Sequence, residues 1–419
     1  MMMSTDLSMI RKPELLIPAG GPEALQTAVL YGADAVYLGG PAYGLRAKAH
    51  NFGMDELAES IRFAHAHGVK VHVTVNIVAH ERHFAGLPEY LRELREIGAD
   101  ALIVSDAGIF MTARREIPDM PLHLSTQASA TNAATMDFWY RQGASRIVAA
   151  RELSLEELIE IRGKLDPGLE LETFVHGAMC ISISGRCLLS NYMAAKDANL
   201  GECVHPCRWK YSLMEETRPG EYYPVTEDEE GTYIFNSKDL CMIEYIPELI
   251  RAGIASFKIE GRMKTPLYVA MTAKAYRQAI DDYMTDPELY ESRKPYYLQL
   301  LSMVSHRGYN TGFYFGHPDQ NSQIYDHSDY EKEVLFAAKV LGLSDDGLLV
   351  EQRNKFSAGD ELFALPPQGP VLALPILQIR DLEGNIQPSA NHAKQHLYVE
   401  TACPPLPSGT ILMKRISEE

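Results

Sequence analysis

Eight short apolar runs punctuate about the first 260 residues, and each is followed by a longer amphipathic segment. The runs are Glu14–Pro18, Ala35–Gly39, Lys70–Asn76, Ala101–Asp106, Leu122–Thr126, Arg146–Ala149, Leu171–Val175 and Ala255–Glu260. Each is bounded by Gly, Asp or Pro, the pattern of parallel strands buried on both faces. The intervening stretches, such as MDELAESIRFAHAHG and SLEELIEIRGKL, carry helical periodicity, and several end in Gly-Ala just before the next strand. Glycine there stops the helix in a left-handed cap. Eight such units predict an α/β fold, a (β/α)8 TIM-like barrel. A doubly wound open sheet is the alternative, but no Gly-x-Gly-x-x-Gly turn follows the first strand.

One unit is abnormal. The seventh and eighth strands lie about 80 residues apart, where a barrel of about 250 residues allots roughly 30 to a whole unit. This insertion, at about 177–250, carries Cys180, Cys187, Cys203 and Cys207, four of the chain's six cysteines. The surrounding Gly, Ser, Asn and Asp read as loop. Thiolates converging from a loop bind a soft metal centre or close disulfides. No charged and apolar leader opens the sequence, and no run of about 18 apolar residues could span a bilayer. The expectation is a cytoplasmic chain without a membrane anchor, where clustered thiols serve as ligands. Spacing leaves iron–sulfur and zinc both open. Cys241 and Cys403 read as ordinary thiols, with Cys241 near enough in sequence to substitute as a ligand.

The barrel is expected over 1–297, followed by a connecting arm over 298–331 that is rich in Gly, aromatics and amides. From 332 to 419, short β-like runs alternate with turn residues, predicting a small antiparallel β-barrel. From Thr265 to about Tyr297 the pattern is helical, with YVAMTAKAYRQAIDDY giving one apolar face.

Chemistry in such barrels sits at the C-terminal ends of the strands. The polar residues there are Asn76, Asp106, Gln127, Arg151, His176, Lys258, Glu260 and Arg262. Arg151 and Arg262 stand out because guanidinium forks suit carboxylates and phosphates. Lys258, Glu260 and Arg262 alternate, so an extended strand puts all three on one face. The formal net charge of −17 argues against a generally basic nucleic-acid-binding surface. A local patch can still act, and Arg186, Lys196, Arg208 and Lys210 gather around the cysteines. Neither a Gly-x-Ser-x-Gly elbow nor a His-Glu-x-x-His helix is present.

The pattern Glu172, Phe174, Gly177, Ala178, Met179, Cys180, Gly185, Cys187, Leu189 and Ser190 resembles the signature of the collagenase-like peptidase family of unknown catalytic type, family thirty-two of that class. ELLIPAGGPEALQTAVLYGADAVYLGG, LSTQASATN, GECVHPCRWKY, NSKDL and FKIEGRMKTPLYVA extend the resemblance along the whole chain. With both Cys203 and Cys207 kept and a C-terminal β-module added, the chain is most similar to the tRNA wobble-uridine 5-hydroxylation branch. That resemblance implies a 4Fe–4S cluster on Cys180, Cys187, Cys203 and Cys207, prephenate as a co-substrate and tRNA as the partner. A companion chain of the same family is also admitted. Arg151, Lys258 and Arg262 would hold the carboxylates of prephenate, with Asn76, Gln127, His176 and Glu260 as further substrate contacts. Arg186, Lys196, Arg208 and Lys210 would meet tRNA phosphates, and Tyr192, Trp209 and Tyr211 could stack on a base. Two other readings stand beside it: a collagenase-like peptidase, and an RNA-binding or assembly module with a structural metal.

Overall fold

In the computed structural model the eight apolar runs become eight parallel strands closed into a barrel. The structure describes residues 11–45, 52–179, 238–316, 332–345 and 347–416, with 190, 194, 196, 204, 213–214, 222–223, 226–228 and 231–233 from the insertion. The strands are β1 (Glu14–Pro18), β2 (Ala35–Gly39), β3 (Lys70–Val75), β4 (Ala101–Val104), β5 (Leu122–Leu124), β6 (Ala144–Val148) and β7 (Glu170–Gly177), with β9 (Ser256–Ile259) closing the ring between β7 and β1. Helices α1 (Pro22–Leu30), α2 (Met54–Ala66), α3 (Leu87–Glu96), α4 (Ala107–Glu116), α5 (Ala133–Arg141), α6 (Leu155–Lys164), α7 (Ile246–Arg251) and α8 (Pro266–Thr285) follow or precede them. Their starts are written locally. Asp106 and Asn132 accept backbone N–H groups at the heads of α4 and α5, and Ser154 and Glu157 form a reciprocal capping box on α6.

Two departures from the sequence reading have simple causes. The helical stretch after Thr265 is two helices, because Pro287 lacks an N–H and Asp286 turns extended to cap the second. That second helix, α9, runs over Pro287–Ser302. A three-residue strand, β8 (Asp239–Cys241), also pairs antiparallel with the end of β7, and β10 (Tyr309–Asn310) pairs with β8. The sheet thus grows a flap on its β7 side, held by the buried pair Arg307–Asp239 at 3.2 Å.

The C-terminal module is a closed six-stranded antiparallel barrel of β11 (Val334–Ser344), β12 (Gly347–Gln352), β13 (Glu361–Leu365), β14 (Leu372–Arg380), β15 (His396–Thr401) and β16 (Ile411–Arg415), in the ring order β13–β16–β11–β12–β15–β14. It packs on α1 and α8. Tyr31 donates to Leu365 O at 2.6 Å and accepts from Ile411 N, and buried Lys274 donates to Pro366 O at 2.7 Å.

Candidate active site at the barrel mouth

Alternation along parallel strands sends every second side chain into the lumen. Here those positions carry a cluster of buried ions beside a small apolar group of Leu16, Ala35, Tyr37 and Ile103. Glu172 on β7 receives Lys258 Nζ of β9 at 2.9 Å and Arg146 Nη1 of β6 at 3.1 Å, while Arg146 also reaches Glu170 at 2.7 Å. Burial raises the Glu172 carboxyl, but Lys258 and Arg146 outweigh it and bring it down to about 2. His72 of β3 and His123 of β5 meet edge to face at 4.8 Å inside the same lumen. Burial lowers both, His72 to about 4, so both rings are neutral at physiological pH.

Above this ionic floor the strand ends converge. Tyr37 of β2 donates to Glu260 Oε2 at 3.3 Å, and Arg151 lies 3.7 Å from the same oxygen. The Arg151 guanidinium covers the Phe174 ring at 3.9 Å and donates to Ala178 O at 3.1 Å. Arg262 reaches over the barrel from the end of β9 to Thr74 Oγ1 of β3 at 3.2 Å. One step further up, Asn76 Nδ2 donates to Gln127 Oε1 at 2.5 Å. Two glycines let the backbones approach this closely. A Cβ at Gly20 would lie 2.0 Å from Arg262 O, and one at Gly177, whose φ is +105°, 2.4 Å from Glu260 O.

The structure therefore gathers Arg151, Glu260, Arg262, Asn76 and Gln127 at the mouth, with Tyr37, Thr74 and Phe174 beneath them. Lys258 belongs to the floor rather than the rim: it is 4% exposed and its charge is met by Glu172. His176 leaves the group altogether. Phe174 pairs with Lys258 but His176 with Ile259, so Val175 is an extra residue in β7 and the next side chain flips outward. His176 ends 1% exposed among Tyr268, Tyr276 and Tyr309. Asp106 is a helix cap that also accepts from Ala79 N. Sequence reasoning missed Glu172, Arg146, His72 and His123 as lumen groups; charged residues inside otherwise apolar strands were the available signal.

Cys241 and His176 lie opposite each other on β8 and β7, bridged by the Tyr276 hydroxyl at 3.8 Å from the sulfur and 3.4 Å from Nδ1. This is the reverse of an activated thiolate–imidazolium pair. Burial pushes the thiol up to about 12 and the imidazole down to about 3, so both stay neutral and inert. Cys180, Cys187, Cys203 and Cys207 lie outside the described residues, as do Arg186, Arg208, Lys210, Tyr192, Trp209 and Tyr211. Lys196 is exposed. Buried Ser190 accepts from Lys196 N through its carbonyl and from Val204 N, at 3.1 Å, through its hydroxyl. This ties the stretch after Cys187 to the residue after Cys203. Among the described residues no His, Cys, Asp and Glu group could hold a metal ion, and no helix is long and apolar enough to cross a membrane.

Fold and mouth together define a (β/α)8-barrel protein with a charged lumen, polar strand ends and a separate β-barrel appended. The chain belongs to peptidase family U32: the family model matches residues 20–324, and the model of the peptidase family U32 C-terminal domain matches residues 332–412. It is similar to tRNA hydroxylation protein P1 of Bacillus subtilis (strain 168), 42% identical over 387 residues, covering 92% of this chain and 91% of that protein. It is 41% identical over 402 residues to tRNA hydroxylation protein P of Escherichia coli (strain K12), covering 85% and 87%. A third relative, the 23S rRNA 5-hydroxycytidine C2501 synthase of Escherichia coli (strain K12), is 37% identical over 268 residues, covering 64% of this chain and 39% of that protein.

Proposed function

We propose that this protein is an RNA-modifying enzyme that hydroxylates C5 of the wobble uridine in tRNA, with the chemistry at the barrel mouth. The observation that carries the reading is Arg151. It stacks on Phe174, faces Glu260 and holds Ala178 O, two residues before Cys180. A guanidinium at the mouth and the start of the cysteine segment thus form one anchored unit. The names of relatives sharing about 40% of this sequence along most of its length support RNA hydroxylation.

Arg151 and Arg262 offer two guanidinium groups on opposite sides of the mouth, matched to a dicarboxylate such as prephenate. Lys258, neutralised by Glu172, keeps the floor rigid rather than binding. A wobble base is already single-stranded and enters a pocket at modest unstacking cost. The donor set suits a 4Fe–4S cluster in its chemistry: four thiols from one segment, while Cys241 is buried and protonated. Cys180, Cys187, Cys203 and Cys207 would hold the cluster, which supplies electron transfer when bound. The described residues position substrate and co-substrate around that segment.

Mass spectrometry of tRNA nucleosides from a strain lacking the protein tests the reading. 5-Hydroxyuridine derivatives should vanish, return with the wild-type gene, and stay absent with Cys180→Ala. Unchanged levels in the deletion strain would end it. Arg262→Lys should lower kcat/KM for the dicarboxylate about 10- to 100-fold, the loss of one charge-assisted fork. Protein purified without oxygen should carry about four irons per chain; a single zinc instead would reject the cluster.

A further inference from the structure

We propose that Gln127 is the base-reading residue of this site: its amide N–H donates to the C4 carbonyl oxygen of the uracil and sets uridine against cytidine. The inference rests on the functional reading above and adds the group that chooses the pyrimidine.

Two strands lead to it. His72 and His123 touch at the floor; Thr74 and Asn76 follow along and just past β3, while β5 ends at Leu124 and Ser125 caps a 3-10 turn over Thr126–Ala128 that carries Gln127. The Asn76–Gln127 pair is oriented by a backbone group that can only donate. Leu45 N donates to Asn76 Oδ1 at 3.2 Å, so the Asn76 amide nitrogen faces Gln127. It donates to Gln127 Oε1, which also accepts from Ser125 Oγ at 3.1 Å. The Gln127 oxygen is thus saturated, and its nitrogen is turned the other way. Gln127 Nε2 is buried and has no hydrogen-bond partner, although the residue is only 9% exposed. Native proteins rarely leave a buried amide N–H unpaired, and at a site mouth a substrate acceptor completes it.

The two pyrimidines differ at this contact. Uracil presents a carbonyl oxygen at C4, an acceptor, where cytosine presents an amino group, a donor. A fixed amide N–H welcomes the first and opposes the second. Arg262, on Thr74 just below and 5% exposed, adds a cation on the same side of the lumen.

Two substitutions reverse the polarity by different routes. Gln127→Glu keeps the acceptor for Asn76 and Ser125 but puts an oxygen where the nitrogen was. Asn76→Asp keeps the acceptor for Leu45 N and turns the Gln127 amide around, so that its oxygen faces the base. Gln127→Leu removes the donor without adding charge, which keeps the test open if a carboxylate prevents folding. The probes are anticodon stem-loops with uridine or cytidine at the wobble position, scored by binding and by 5-hydroxylation, with melting temperature as the folding control. Wild type should prefer uridine. Both polarity variants should cut the uridine-to-cytidine ratio about tenfold or more, each tenfold being 1.4 kcal/mol. Gln127→Leu should weaken uridine without gaining cytidine. An unchanged ratio in folded variants would overturn the inference and leave the function standing. An effect confined to KM for the dicarboxylate would do the same, moving Gln127 to the co-substrate. A wild-type protein that neither modifies wobble uridine nor distinguishes the stem-loops would remove both.

Discussion

The chain closes two barrels and fills them in opposite ways. The (β/α)8 lumen holds Arg146, Glu172, Lys258, His72 and His123, all buried. The C-terminal barrel is filled by Val340, Val350, Leu362, Ile379, Leu397, Leu412 and their like, and no charged side chain is buried among its described residues. Apolar filling stabilises in proportion to the area taken from water. Ion pairs in a low-dielectric lumen give much less, because desolvation offsets most of their attraction. The contrast separates labour: the small barrel is built to stay folded, and the large one carries fixed charges and dipoles beneath the proposed site.

The sharpest way to break this contrast is to unbalance the lumen. Glu172→Gln strips buried Lys258 of its carboxylate, while Arg146 keeps Glu14 and Glu170, and should cost roughly 3–5 kcal/mol in denaturant unfolding; a loss below about 1 kcal/mol would mean the floor is well hydrated. Acid comes next. Buried histidines whose folded pKa falls below 6.5 contribute full stability above that pH and lose it as the pH drops, with His72 flattening near 4 and His176 near 3. At pH 5 the loss should be about 2 kcal/mol for each such histidine. Melting curves at pH 7.5 and 5 would show it, and His72→Gln should flatten the slope. The small barrel supplies the smaller effects. Ile379→Val should cost about 1 kcal/mol, equally at both pH values, and a pH-dependent loss would erase the distinction. Least of all, Lys414→Met breaks the partly exposed Asp360 pair at 2.6 Å and should change stability by less than about 1 kcal/mol.

The eight strands could be read from sequence because parallel strands buried on both faces show as short, mainly apolar runs between breakers. The mouth was legible only as a set of strand ends. Depth along a strand is invisible without its neighbours, so Lys258 read as a rim cation although its partner Glu172 lies 86 positions away. The Asn76–Gln127 pair, 51 positions apart, was likewise two separate candidates. His176 was misread because one extra residue reverses every side chain beyond it, and nothing in LETFVHG marks the bulge. Asp286-Pro287 did carry a readable stop and restart. Three-residue β8 carried none, since its strand character comes from pairing with β7.

That pairing places Leu240 directly opposite Gly177, with their Cα atoms about 5 Å apart, as antiparallel partners are. About 60 residues, all four clustered cysteines among them, therefore leave and re-enter the barrel through one doorway. Chain entropy sees such a segment as a loop whose ends are already joined, so its length adds little to the work of folding the barrel. The segment can be lengthened, shortened or exchanged as a cassette, and a short connection from Ala178 to Asp239, which keeps the Arg151 and Arg307 partners, should leave a barrel that still folds but has lost its four clustered thiols.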